Sequence, residues 1–91
     1  MSSGRRASYN LVSTVEFLKN LERLEALTNQ RIVRSVEDLS REPFLGKPLR
    51  GRLKGLYTLR IGEYRVIYSI DIEKQEVILH AAKPRSTVYQ G

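Results

Sequence analysis

The stretch GKPLRGRLKGLYTLRIGEYRVIYS, Gly46 to Ser69, decides how this chain is read, because it carries a strand pattern and a dense positive charge at once. From Leu56 to Ile61, Tyr57, Leu59 and Ile61 fall on one side and Thr58 and Arg60 on the other, as the two-residue period of a strand requires. Gly62-Glu63 is a short turn signal. Beyond it Tyr64, Val66, Tyr68 and Ile70 share one face, and Arg65, Ile67 and Ser69 share the opposite one. The two runs read as a hairpin. If the Tyr/Val/Leu face joins the core, Arg60 and Arg65 emerge together on the other face of adjacent strands. The same stretch holds six cations, Lys47, Arg50, Arg52, Lys54, Arg60 and Arg65, against Glu63 alone. Arginine is mostly solvent-facing whatever its role. The pattern alone therefore leaves two readings open: plain outward positions, or a basic working face.

Working outward, Glu73-Lys74-Gln75 is a turn and Glu76 to Ala82 (EVILHAA) a last strand, followed by a basic tail, residues 83–91, with Lys83, Arg85 and Tyr89. At the other end, Ser8 to Val12 has strand composition. Ser13, with Glu16 three residues on, matches a capping box, and Val15, Leu18, Leu21 and Leu24 form an apolar stripe at helical spacing. Asn29 can cap a second helix whose face is Ile32, Val33, Val36 and Leu39. Pro43 stops that helix, since the residue before a proline is pushed out of helical geometry, and Phe44 and Leu45 pack beneath the loop. Gly46, Pro48, Gly51 and Gly55 punctuate the basic connection that follows. Such a loop can come close to a phosphate backbone, or it can be a solvated linker.

The order strand, helix, helix, three strands predicts an α+β fold: a small antiparallel sheet of about four strands (β-α-α-β-β-β). The N-terminal helical hairpin covers one of its faces, because two amphipathic helices need an apolar surface to bury. The 91 residues allow one domain with one modest core. Residues 1–7 are expected to be a flexible N-terminus and residues 83–91 a basic functional tail. The net charge of +6 favours a polyanionic partner, such as nucleic acid or an acidic protein. The chain has no cysteine and a single histidine, His80, so thiolate and histidine metal sites are not expected, nor is any cofactor. No apolar run is long enough for a bilayer, and the expected location is the cytoplasm.

The run GKPLRGRLKGLYTLRIGEYRVIYSID, a further strand and the KPRSTVY tail resemble the RelE/ParE superfamily of type II toxin-antitoxin toxins, on its RelE side. The resemblance implies the RelE-like fold. It also implies a ribosome-dependent endoribonuclease that cuts mRNA in the decoding site and is held inactive by a co-expressed antitoxin in a hetero-oligomer. By resemblance, Arg65 contacts the scissile phosphate, Arg60 and Arg85 take the places of further basic residues, and Tyr89 that of the terminal tyrosine that stacks on a base or moves a proton. Lys47, Arg50, Arg52, Lys54 and Lys83 are expected to bind RNA. The chain departs from the family pattern at Thr58, a lysine in some active members, and at Pro84, where many relatives carry His or Arg.

That chemistry suits these residue types. Cutting RNA through its own 2'-hydroxyl needs the charge on a pentavalent phosphorane stabilised, which fixed guanidinium groups do without a metal. Tyr89 or a lysine is the expected general base, and His80 a candidate general acid, although a lone histidine among apolar residues is more often a satisfied structural group. Two other readings stand beside this one: a ParE-like toxin that poisons DNA gyrase without cutting RNA, and a basic RNA-binding domain with no toxicity.

Overall fold

The strand pattern and the two helical stripes resolve, in a computed structural model that describes residues 8–85, into a sheet of five strands and a pair of helices. The elements are β1 (Asn10–Ser13), α1 (Val15–Glu22), α2 (Ala26–Glu37), β2 (Lys47–Pro48), β3 (Tyr57–Ile61), β4 (Tyr64–Asp71) and β5 (Glu76–Pro84). Short 3-10 turns at Asp38–Ser40, Pro43–Leu45 and Gly51–Leu53 fill the connections. The spatial order is β1-β5-β4-β3-β2. Strands β2 to β5 run antiparallel, and β1 lies parallel to β5 at the edge. The α+β class and the helical hairpin on one face are as the sequence predicts. The fifth strand is the two-residue β2, too short to leave a pattern.

The meander follows from its turns. Gly62 has φ +60°, the left-handed value that a two-residue II′-type hairpin loop demands of its first central residue. This loop pairs Ile61 with Tyr64 and so fixes Leu59 opposite Val66, Tyr57 opposite Tyr68, and Arg60 opposite Arg65. Between β4 and β5 the register shifts at Ile67/Tyr68, which leaves His80 as an extra, unpaired residue on β5. The bulge reverses the alternation of β5. Val77 and Leu79 before it and Ala82 after it all face the helices, while Ala81 and Lys83 face away.

The core lies between that sheet face and the helices: Phe17, Leu21, Ile32, Val36 and Leu39 pack against Ile61, Val66, Tyr68, Val77, Leu79 and Ala82. Tyr68 is fully buried. Its hydroxyl donates to the Pro43 carbonyl at 2.8 Å and accepts from the Gly46 amide at 2.9 Å, while its ring stacks on Tyr57 at 5.5 Å. Gly46 has to be glycine here, since a Cβ would stand 2.5 Å from the Thr58 carbonyl oxygen and 2.7 Å from the Tyr68 hydroxyl.

The helices depart from the sequence reading in detail. Ser13 belongs to β1, and the N-cap of α1 is Thr14, whose hydroxyl accepts from the Phe17 amide. The buried face of α1 is Phe17, Asn20 and Leu21 with Leu24 beyond, so Val15 (69% exposed) and Leu18 (49%) point to solvent rather than into the core. Helix α2 starts before Asn29, which sits inside it and donates from its side chain to the Leu21 carbonyl. Val33 lies at its exposed margin, and α2 gives way at Glu37 to a 3-10 turn that carries Leu39 into the core. Pro43 is buried, while Phe44 and Leu45 are largely exposed rather than packed beneath the loop. The last strand continues to Pro84, so Lys83 is a strand residue and not part of a tail. Among the described residues no helix is long and apolar enough to cross a membrane.

Candidate nucleic-acid interface

Directly paired residues in a sheet share a face, with Cβ atoms about 4.5–5.5 Å apart. Arg60 pairs with Arg65 and Arg65 with Lys83, so one cation from each of β3, β4 and β5 stands in a single row on the face turned away from the helices. Arg60 is exposed, and Arg65 and Lys83 are half-buried. Like charges directly opposite one another oppose folding. A row of three cationic residues is therefore an arrangement whose repulsion the rest of the fold has to offset.

Arg85 joins this row from the end of β5. Its backbone amide donates to the Glu63 carbonyl at 2.9 Å, tying the strand end to the β3–β4 turn. Glu63, Arg65, Pro84 and Arg85 line an open recess of about 380 Å³, wide enough for a phosphate and part of a nucleotide. Pro84, a departure from the family pattern, thus forms a wall of the recess. Lys47 belongs to the adjoining row, opposite Thr58. Thr58, the other departure, is buried, and among the described residues its hydroxyl has no hydrogen-bond partner, so it does not take the place of a reaching lysine.

The geometry thus brings together Arg60, Arg65, Lys83 and Arg85. Arg50, Arg52 and Lys54 lie instead on the exposed loop around the Gly51–Leu53 turn, beyond β2 and closed by the Leu49 amide donating to the Leu56 carbonyl. Tyr89 lies outside the described residues. His80 is engaged by the Ser69 hydroxyl at 2.8 Å. Ser69 is four residues from Arg65 along β4, roughly 13 Å at the rise of a strand, so the His80 ring is held at the bulge beside Ser69 rather than beside Arg65.

Two residues near this face escaped the sequence reading. Strand β1 ends beside Leu79, and past it the free edge of β5 is met by side chains of the first helix. The Thr14 hydroxyl is shared between the Leu79 and His80 carbonyls at 2.9 and 3.1 Å. The Asn20 Oδ1 accepts from the Ala82 amide at 2.9 Å, and its Nδ2 donates to the Glu16 Oε2 at 3.2 Å. The same Glu16 oxygen receives Lys83 Nζ at 3.1 Å. The hydrogen bond from Lys83, then that from Asn20, hold the Glu16 carboxyl below its ordinary range. The signal in the sequence was the i, i+4 spacing of Glu16 and Asn20 on one helix face.

Comparison with known proteins agrees with this architecture. The family described as the ParE toxin of type II toxin-antitoxin system, parDE, matches residues 11–84. A toxin named RelE from Mycobacterium tuberculosis is 38% identical over 85 residues, spanning 90% of this chain and 87% of the relative. Toxin RelG of the same organism is 44% identical over 54 residues, 58% of this chain, and that match spans only 62% of the relative's length. The crystal structure of the RelBE2 toxin-antitoxin complex, again from M. tuberculosis, superposes with a TM-score of 0.81 at 35% identity, covering 86% of this chain and 99% of that one. The chain belongs to the RelE/ParE superfamily of type II toxin-antitoxin toxins. Within it, these named relatives stand on the RelE side.

Proposed function

We propose that this chain is a ribosome-dependent mRNA endoribonuclease of the cytoplasm, held in check by a cognate antitoxin. The observation that carries this reading is the row Arg60, Arg65, Lys83 on directly paired positions of three adjacent strands, with Arg85 beside it. Three guanidinium groups brought together, those of Arg60, Arg65 and Arg85, suit a trigonal-bipyramidal phosphorane, whose equatorial oxygens spread charge outward from one centre. In this reading Arg65, the middle residue, holds the scissile phosphate. Arg60 and Arg85 approach from either side, and Lys83 neutralises a neighbouring phosphate. The RNA supplies its own nucleophile, the 2'-hydroxyl, whose proton passes to Tyr89 or a lysine. The P–O5' bond breaks to leave a cyclic phosphate, and the departing O5' takes a proton from solvent water to become a free 5'-hydroxyl. Guanidinium donors fixed on a sheet act without reorganising as the charge develops, which is where such donors gain their effect. Lys47, Arg50, Arg52 and Lys54 extend the positive surface toward the RNA held in the ribosome. The relatives solved with antitoxins support a hetero-oligomer in which an acidic or amphipathic partner covers this charge.

The test is cleavage of mRNA on programmed ribosomes. The wild-type chain is expected to produce new mRNA ends, and Arg65→Ala to lose two to three powers of ten in rate, about 3 to 4 kcal/mol of barrier. Full activity of Arg65→Ala would remove the catalytic reading. The match to the ParE toxin family favours a second reading, a toxin acting on DNA gyrase. A wild-type protein that cuts no mRNA yet stalls DNA replication would establish it instead.

A further inference from the structure

We infer that Glu16 is a built-in counter-ion of the basic face, competing with a phosphate of bound single-stranded nucleic acid for Lys83. This rests on the reading of that face as a nucleic-acid interface, and it assigns a regulating role to a residue outside the arginine row.

The geometry has three parts. Asn20 is nearly buried, at 7% exposure, and both ends of its amide are committed: Oδ1 to the Ala82 amide, Nδ2 to Glu16. It therefore fixes the carboxylate relative to β5 one residue from Lys83. The Lys83 ammonium meets that carboxylate at 3.1 Å. Lys83 is in register with Arg65, so its backbone stands in the cationic row while its charge is spent on the helix beside the sheet edge.

The pair is also exchangeable. The two side chains are 43% and 56% exposed, and ion pairs so open to water are weak. A lysine head on a four-carbon stem can swing from one anion to another without disturbing the strand. The pairing also relieves repulsion among Arg60, Arg65 and Lys83 in the unbound protein, which explains why an acid stands beside a phosphate-binding face. Nucleic acid binding then swaps a carboxylate for a phosphate at Lys83 and leaves Glu16 with Asn20.

The test uses the full chain and a short single-stranded RNA with 2'-O-methyl riboses, which cannot be cut, titrated by fluorescence polarisation at several salt concentrations. Glu16→Gln keeps the Asn20 contact and removes the competing charge. It is expected to tighten binding about two- to fivefold at low salt and to steepen the salt dependence by about 0.7 in log–log slope, the share of one additional cation. Lys83→Met is expected to weaken binding, and Glu16→Gln added to Lys83→Met to change nothing further. Unchanged or weaker binding by Glu16→Gln overturns the inference, as does tightening that persists without Lys83. Ribosome-dependent cleavage by the wild type is measured separately. Its absence, with the Glu16 effect intact, would count against the endoribonuclease reading and leave the counter-ion standing.

Discussion

Strands β3, β4 and β5 present two faces made by alternate residues of the same chain, and the two answer to different demands. Toward the helices lie Ile61, Val66, Tyr68, Val77, Leu79 and Ala82, all buried. Away from them lie Arg60, Arg65, Ile67, Ala81 and Lys83, none of them fully buried, together with Thr58, which is buried. The first face gains stability by removing apolar surface from water. The second gives some of it back by lining up like charges. Substitutions on opposite faces of β4 should therefore separate folding from chemistry, and the largest effects belong to the buried face.

Tyr68→Ala is expected to destabilise the protein by about 3 to 5 kcal/mol, the cost of truncating a large buried side chain. Chemical denaturation with a conserved m-value would measure it. A loss of only a few tenths would mean that the core does not depend on this ring. On the opposite face, Arg65→Ala should show the reverse: a large fall in cleavage rate with a stability change of about 1 kcal/mol, since the half-buried stem loses some packing. Arg65→Lys should recover only part of the rate, because a point charge cannot make two parallel hydrogen bonds to phosphate oxygens. If Arg65→Ala unfolds the chain, the division of labour between the faces is wrong.

How far these faces could be read from the sequence depends on what sets each register. The Arg60–Arg65 pair was legible because a two-residue turn at Gly62-Glu63 admits one pairing, and alternation then assigns every side chain of β3 and β4. Lys83 was not legible as a member of the row. Its face depends on the bulge at His80, and an extra residue whose cause is three-dimensional leaves no periodic trace. Helix α1 misled for a related reason. Counting apolar residues favours Val15 and Leu18, but the helix sits where β5 outruns β1, and that edge needs an amide side chain, so Asn20 is turned inward. Arg85 and Tyr89 were singled out only through the family resemblance.

Subtler changes on the buried face test the polar link within it. Tyr68→Phe keeps the ring but leaves the Pro43 carbonyl and the Gly46 amide without their partner, and should cost about 1 to 3 kcal/mol. Burial raises the Tyr68 phenol above its ordinary value of 10.0, outweighing the opposing pull of the Gly46 amide. A folded pKa above the unfolded one gives a contribution that is complete below about pH 10 and lost as pH rises through the folded value. The wild type should therefore lose stability more steeply than Tyr68→Phe above pH 10, and parallel profiles would contradict this assignment. Gly46→Ala, which forces a methyl against the Thr58 carbonyl and the Tyr68 hydroxyl, should cost a similar 1 to 3 kcal/mol.

The smallest expected effect lies on α1, and it checks which of two helix faces is the buried one. Leu18→Ala and Val15→Ala should each change stability by no more than about 0.5 kcal/mol, because both side chains already stand largely in water and alanine is the better helix former. Phe17, one residue before Leu18, is 2% exposed and packed in the core, so its truncation is the internal control for a large loss. If Leu18→Ala cost as much as Phe17→Ala, α1 would be rotated by about 100° from the orientation described, the angle between successive helical residues. Asn20 would then leave the edge of β5, the Ala82 amide would lose its acceptor, and Glu16 could no longer reach Lys83. A near-zero result for Leu18 thus supports the same rotation of α1 that sets a carboxylate beside the cationic row.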